Sequence, residues 1–498
     1  MDHHRLALAV LLPGFSGTTA PAWLLEAAGD GLAGVVLFAQ NTPDLRATRH
    51  LTDALHEAYP GLLVTIDEEG GDVTRLQAAE GSRLPGAAAF GAAGDIELTR
   101  RGGRALGSLL RAAGVDIDLA PVLDVASEPR NPVIGVRSFG PDSDQVADHA
   151  TAFLAGLHEG GVAACGKHFP GHGATTVDSH LALPRLEAGA EVFAARDLPP
   201  FEHAAAAGLD SVMTGHLHIP AIGPAPASLE PAVTALVRGL PGGADIAIIT
   251  DALDMAAVAG TDQETFGEAC VQALEAGADL LCLGSTANRD DEEMFRTAYR
   301  AIVEALEAGR ISADLLAGAA RRTDLLRERV QTHRAAAEDL SAEEALANVA
   351  AVGEEAARAA VRLLEGTVTP AEESVLVDLR RRINQAAGRI TPGFWHALQR
   401  RRPGSRILTP GVPGAEPIGA ELGSIDPAAQ LLVLTREPLA DQQEQQMLDA
   451  VLAARPDAVI IHGGTAASVP EPTGSGALVL AHGVGLANAE AVMDLVLR

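Results

Sequence analysis

Short apolar runs recur along the first 280 or so residues, at 6–12, 34–38, 62–66, 115–123, 161–165, 211–213, 246–249 and 279–283. Each has the length of a buried strand, and the segments between them, such as 44–59, 97–113, 143–159, 191–207 and 265–276, carry Ala, Leu, Arg and Glu at helical spacing. Strand and helix patterns that alternate eight times predict an α/β fold, a (β/α)8 TIM-like barrel. From 292 to 365 the pattern is helical, with a capping-box start at Ser341-Ala342-Glu343-Glu344. Past Pro370, five more apolar runs at 375–377, 406–408, 431–434, 458–461 and 478–480 predict a smaller open parallel sheet flanked by helices. The expected organisation is a barrel over 1–335, a helical connector over 336–370 and a C-terminal α/β sandwich domain over 371–498.

Composition narrows this picture. Apolar residues make up 47% of the 498 and aromatic residues only 3%, so the core must be built from Ala, Val, Leu and Ile. A formal charge of −29 without a Lys/Arg stripe argues against nucleic acid as a partner. Cys165, Cys270 and Cys282 sit inside apolar runs at no metal-ligand spacing, which predicts reduced, buried thiols and a reducing compartment. The run 6–12 follows Arg5 like the core of a secretory signal, but it is short and ends at Pro13-Gly14-Phe15 with no small-residue cleavage site, so a buried strand is expected there. No apolar run approaches the roughly 20 residues of a membrane helix. The expectation is a cytoplasmic protein with no membrane partner, and the sequence carries no signal for oligomeric state.

Polar residues follow the apolar runs: Asn41, Asp67 with Glu68, Asp124, Lys167 with His168, His216, and Asp251 with Asp254. In a barrel the C-terminal strand ends face one mouth, so these groups are expected to converge. The densest stretch is 167–180, with Lys167, His168, His172, Asp178 and His180 among Pro170, Gly171 and Gly173, and it reads as an active-site loop starting where the strand 161–166 ends. A zinc site through His168, His172 and His180 is an alternative use of the same residues. The second sheet has no Gly-x-Gly-x-x-Gly turn and so no predicted nucleotide, and His462 and His482 are expected to be ordinary strand-end residues.

The stretch 167–180 resembles the family 3 glycoside hydrolases, and within them the bacterial β-N-acetylglucosaminidases, whose loop reads Lys-His-Phe-Pro-Gly-His-Gly-Asp-Thr-x-x-Asp-Ser-His. Ala174 replaces the first acid of that loop. Further matches are 67–71 with Arg75, 118–124, 137–140, 213–216 and 250–253, so the resemblance spans about 5–330. It implies a retaining, exo-acting β-N-acetylhexosaminidase in which Asp251 is the nucleophile, His180 the acid/base and Asp178 its orienter. An imidazole with an ordinary pKa of about 6.5 suits that double role at neutral pH. The resemblance also implies that Asp67, Arg137, Lys167 and His168 hydrogen-bond the sugar, that Arg75, Asp124 and His216 support them, and that no metal or cofactor takes part. The implied substrate is a cell-wall (muropeptide) or chitin-derived oligosaccharide that loses its non-reducing terminal GlcNAc.

Three positions depart from the family pattern: Glu68 stands for Gln, Asp72 for Arg and Ala174 for Asp, and the first two are expected to add acid near Asp67. The residues leave open a phosphorylase on the same fold, a β-glucosidase, and a non-catalytic sugar-binding protein.

Overall fold

Eight short parallel strands carry the N-terminal part of the chain in the computed structural model, which describes residues 2–177, 182–259, 263–284, 290–381, 392–410, 418–471 and 476–498. They are β1 (Leu11–Pro13), β2 (Gly34–Leu37), β3 (Leu63–Ile66), β4 (Ile117–Asp118), β5 (Ala163–Phe169), β6 (Ser211–Thr214), β7 (Ala247–Thr250) and β8 (Leu281–Gly284). Strands β2 to β7 pair in chain order, β8 pairs with β1, and a parallel bridge between Ile249 and Leu280 joins β7 to β8. Leu12 of β1 lies over Gly34 of β2, where a Cβ would come 2.8 Å from the leucine side chain. One apolar cluster draws a side chain from every strand: Leu12, Val36, Leu63, Ile117, Cys165, Met213, Ile249 and Cys282. Helices between the strands bury the opposite faces, as expected where parallel strands read as continuous apolar runs.

Four expected elements of the first 280 residues differ from those observed. Residues 6–8 belong to a helix, His3–Leu8, because Asp2 caps it by accepting the Arg5 amide; the strand begins only at Leu11. The run 115–123 keeps two strand residues, since Pro121 has no N–H to continue the ladder. The segment 191–207 forms two helices, Ala190–Arg196 and Pro199–Ala206, because Pro199 and Pro200 start a helix readily but cannot continue one. The run 161–165 extends to Phe169, which places Lys167 and His168 within β5, across a register shift against β6. The turn that follows needs Gly171: its φ is +133°, and a Cβ would stand 2.7 Å from that of Asp197.

The N-terminal ends of the strands are closed by the long helix Ala313–Ala336, whose Leu326 and Val330 join the interior cluster. Three carboxylates beneath it repeat one arrangement. Asp116, Asp210 and Asp279 each precede a strand and accept a backbone N–H from the strand before: from Val64 at 2.8 Å, Ala164 at 2.9 Å and Ile248 at 2.8 Å. Each also meets one basic side chain from a preceding helix and one from the long helix: His56 and Arg334, His158 and His333, Arg238 and Arg322. The three acids tie neighbouring strands in register and hold the helix across them.

The capping box at Ser341 forms as expected and starts the helix Ala342–Ala360. That helix ends five residues earlier than the sequence pattern suggests, and β9 (Arg362–Gly366) instead joins the edge of the second sheet. The sheet is completed by β10 (Ser374–Asp378), β11 (Arg406–Leu408), β12 (Gln430–Thr435), β13 (Val459–His462) and β14 (Ala477–Leu480), in the order β11-β10-β12-β13-β14-β9. Only β9 runs antiparallel. Alternate residues face opposite ways: Val375, Val433 and Ile460 pack towards the helix Gln442–Ala454, while Leu376, Leu432 and Ile461 pack towards Gly393–Arg401 and Leu486–Val496.

The C-terminal strand ends of this second sheet lie against the β3 loop of the first. The Val484 amide donates to Asp72 at 2.8 Å, Arg436 pairs with the same carboxylate at 3.0 Å, and the Ala487 amide donates to the Ser82 carbonyl.

Candidate active site

The site grows from the C-terminal ends of β3, β5 and β7 and from two loops that fold over them. β3 delivers Asp67, Glu68 and Glu69 in succession, and alternation along the chain sends the first and third towards the same neighbours. Lys167 of β5 lies between them, its Nζ 2.7 Å from Asp67 Oδ1 and 2.6 Å from Glu69 Oε1. The short 3-10 helix Gly135–Arg137 brings Arg137 onto Glu69 from the other side, with both guanidinium–carboxylate bonds at 2.8 Å. Arg75 reaches Asp67 Oδ2 at 3.4 Å. His168 Nδ1 donates to Asp124 at 2.7 Å, and Arg137 donates to His168 Nε2 at 3.3 Å, so these partners assign the Nδ1–H tautomer. Asp124 also accepts the His172 amide at 2.6 Å.

The result is a continuous chain of polar contacts through Asp124, His168, Arg137, Glu69, Lys167, Asp67 and Arg75, in which charge alternates from Arg137 onward. Most of it is buried: the Lys167 side chain is 1% exposed and that of Asp67 19%. Burial would raise the pKa of Asp67, but the charges of Lys167 and Arg75 outweigh it and hold the carboxyl below its ordinary value. Burial acts the same way on Glu69, where Arg137 and Lys167 hold the carboxyl well down. In Asp124 burial is overcome by His168, whose Nδ1–H the carboxylate accepts, and the pKa is lowered. Burial favours the neutral amine of Lys167, yet Asp67 and Glu69 raise its pKa above the usual lysine value. Asp67, Glu69, Lys167 and Arg137 thus keep one another ionised, and a buried set of this kind tolerates the loss of one partner poorly.

Asp251 closes the site from the end of β7. Its amide donates to the Thr214 carbonyl of β6 at 2.9 Å, and its Oδ1 accepts the Ala252 amide at 2.8 Å, which fixes the carboxylate relative to both strands. Asp251 is partly exposed, and its charge reaches His172, whose pKa burial depresses to about 4 against the pull of Asp124 and Asp251. His216 supports this corner from beneath, with Nδ1 2.7 Å from Ser228 Oγ and Nε2 donating to the Ala252 carbonyl at 2.9 Å. Asn41 binds the carbonyls of Phe15 and Gly17 and so serves the β1 loop. Asp178 and His180 lie outside the described residues.

Glu68 and Asp72 do not add acid beside Asp67, as their place in the sequence suggested. The Glu68 side chain turns back to accept the amides of Arg75 and Leu76 at 2.7 and 2.9 Å, which holds the loop shut, and burial raises its pKa. Asp72 points to Val484 and Arg436. The loop can double back because Gly71 has φ +58° and lies so near Gly86 that a Cβ would come 2.4 Å from its nitrogen. The acid that does stand beside Asp67 is Glu69, to which sequence reasoning gave no role. Its signal was present as the second acid after Asp67, at the spacing that returns to the same face of an extended chain.

Paired carboxylates and cations at the C-terminal ends of parallel strands define a site for polar, hydroxyl-bearing substrates in an α/β enzyme. Residues 21–326 match the Glycosyl hydrolase family 3 N terminal domain, and the chain belongs to that family; it is a glycoside hydrolase. A Beta-hexosaminidase of Xylella fastidiosa (strain M23) is 37% identical over 286 residues, covering 55% of this chain and 82% of the relative. A Beta-hexosaminidase of Chromobacterium violaceum is 37% identical over 259 residues, covering 50% of this chain and 71% of the relative. Among solved structures, a glycoside hydrolase family 3 β-N-acetylglucosaminidase from Paenibacillus sp. str. FPU-7 superposes with a TM-score of 0.85 at 29% identity, covering 100% of this chain and 97% of that one. No helix among the described residues is long and apolar enough to cross a membrane.

Proposed function

We propose that this protein is a retaining, exo-acting β-N-acetylglucosaminidase that removes non-reducing terminal GlcNAc from cell-wall or chitin-derived oligosaccharides in the cytoplasm. The observation that carries the reading is the placement of Asp251 at the end of β7, a partly exposed carboxylate whose Oδ1 accepts the Ala252 amide and whose charge reaches His172 at the edge of the buried charged set. In this reading Asp251 attacks the anomeric carbon, the bond to the leaving oxygen breaks as His180 protonates it, and a covalent glycosyl-enzyme forms. His180 then takes a proton from water, which displaces Asp251 and regenerates the enzyme. Asp178 orients His180. Asp67, with Lys167, His168 and Arg137 behind it, receives the sugar hydroxyls, while Arg75, Asp124 and His216 keep those groups in place. The reaction uses no metal or cofactor.

The eight strands act in this proposal as one (β/α)8 barrel over 1–335, joined by a connector over 336–370 to an α/β domain over 371–498. Support for the sugar assignment comes from the relatives named Beta-hexosaminidase and from the β-N-acetylglucosaminidase that superposes along the whole chain. The test is hydrolysis of paired aryl β-glycosides, GlcNAc against glucose, by the wild type and Asp251→Ala. A GlcNAc preference that disappears with the substitution supports the proposal. A glucose preference moves the enzyme to the glucosidases, GlcNAc-1-phosphate formed in phosphate buffer makes it a phosphorylase, and undiminished turnover without Asp251 removes the nucleophile assignment.

A further inference from the structure

The three carboxylates under the long helix Ala313–Ala336 share a backbone role but differ in their cations. Asp279 lies between two guanidinium groups, from Arg238 and Arg322, both at 2.7 Å. Asp116 has one guanidinium at 2.8 Å and one imidazole at 2.9 Å, from Arg334 and His56. Asp210 has two imidazoles: His158 Nε2 is 2.7 Å from Oδ2 and His333 Nε2 is 3.1 Å from Oδ1. An ion pair would be served as well by arginine at all three places. Imidazole offers a nitrogen lone pair that guanidinium lacks, and with it the capacity to ligate a metal.

The geometry around Asp210 suits that role. One ligand atom from each of His158, Asp210 and His333 lies within 4.8 Å of the other two, the one such set among the described residues. The two rings stack with centroids 3.9 Å apart and planes at 12°, and their Nε2 atoms reach the two oxygens of the same carboxylate. The Ala164 amide holds Oδ2 at 2.9 Å, the kind of outer bond that orients a metal-bound carboxylate. Solvent reaches the cluster, because the side chains of His158 and His333 are 17% and 19% exposed while that of Asp210 is 1% exposed.

We infer that His158, Asp210 and His333 form a binding site for one divalent late transition-metal ion of the Zn²⁺, Co²⁺ or Ni²⁺ class, at the opposite end of the strands from Asp251. Two imidazoles and one carboxylate suit such ions, with nitrogen bonds of about 2.0–2.1 Å and water in the remaining positions. Each ring turns its Nε2 lone pair to the metal and carries its proton on Nδ1. The ion joins three separate segments: the end of the helix Ser143–Gly160, the start of β6, and the long helix Ala313–Ala336.

The test is titration of the full chain, freed of metal by chelator, with Co²⁺ alone and with Zn²⁺ alone at pH 7.5. Calorimetry gives the stoichiometry, and Co²⁺ visible absorption reports nitrogen ligation. His158→Arg restores the pairing seen at Asp279 and keeps the fold while removing a ligand; His333→Gln removes the other. Expected are one equivalent bound by the wild type, a rise in Tm of about 5 °C at saturating metal, and affinity at least about tenfold weaker in each variant. His172→Gln, at the other end of the strands, is expected to bind as the wild type does. Absence of saturable binding, or binding untouched by both floor substitutions, would overturn the inference and leave Asp210 an ion-pair clasp like Asp279.

Discussion

Both ends of the eight strands are lined with carboxylates held among cations, but the bonds go to different places. At the floor, Asp116, Asp210 and Asp279 each accept a backbone amide of the neighbouring strand as well as two side chains. At the mouth, Asp67 and Glu69 are held by Lys167, Arg75 and Arg137 side chains, while Asp251 accepts the amide of the residue that follows it. Floor acids are therefore coupled to strand register and mouth acids to one another. The same residue type ties strands in register in one setting and, in the proposed function, meets substrate in the other, and the position of the partner separates the two.

Substitutions can separate the two ends. Asp251→Ala is expected to lower kcat/KM by on the order of 10⁴-fold or more with Tm changed by only a few degrees; joint collapse of activity and Tm would break the distinction. Asp210→Ala is expected to do the reverse, costing about 3–5 kcal/mol in denaturant unfolding with KM unchanged while the protein is folded. Glu69→Gln should show both effects, because it leaves Lys167 and Arg137 short of an anion: about 3 kcal/mol of stability and roughly 10²-fold in turnover.

A smaller effect follows from pH. Burial depresses the His172 pKa from 6.5 to about 4, so the stability this residue contributes is complete above its unfolded value and is lost as pH falls from about 6.5 towards 4. Between pH 7 and pH 5 the wild type should lose about 2 kcal/mol that His172→Asn does not lose, measured as the change in Tm of each protein. Asp67, Glu69 and Asp124 add a second loss only below their ordinary values of 3.8 to 4.5, because their folded pKa values are lowered. Glu68 and Asp118 act in the opposite sense: their raised values favour the fold as pH falls, and the variant comparison cancels them. Smallest of all, Asp72→Asn should lower kcat/KM less than tenfold, since the Arg436 pair weakens while the amide acceptor remains.

The apolar runs place the strands well because buried parallel strands leave a compact, nearly uninterrupted signature; β2, β3, β6, β7 and β8 match their runs to within two residues, β4 and β5 overlap theirs but differ in extent, and even 6–12 contains the start of β1. The failures were local. A capped helix at His3–Leu8 and a strand are both apolar over so few residues, and only the Asp2 cap distinguishes them. Candidate charges at strand ends were legible as a group, but which acid faced which cation was not. Glu68 and Glu69 are adjacent and chemically alike, and a loop turning at Gly71 sends one into its own backbone and the other to Lys167. The floor acids carry no comparable signal in the sequence, because each precedes its strand and only the fold brings its basic partners to it.

The bond from Asp72 to Val484 and Arg436 makes the two halves of the chain unequal as building blocks. Cut after the helix Ala342–Ala360, the first half would retain all three floor clasps but would leave the β3 loop, with Glu68 and Glu69 on it, without its far anchor. A designer wishing to transplant this cluster of charges onto another scaffold would have to bring a substitute for the second sheet, or redesign Asp72 to live in water.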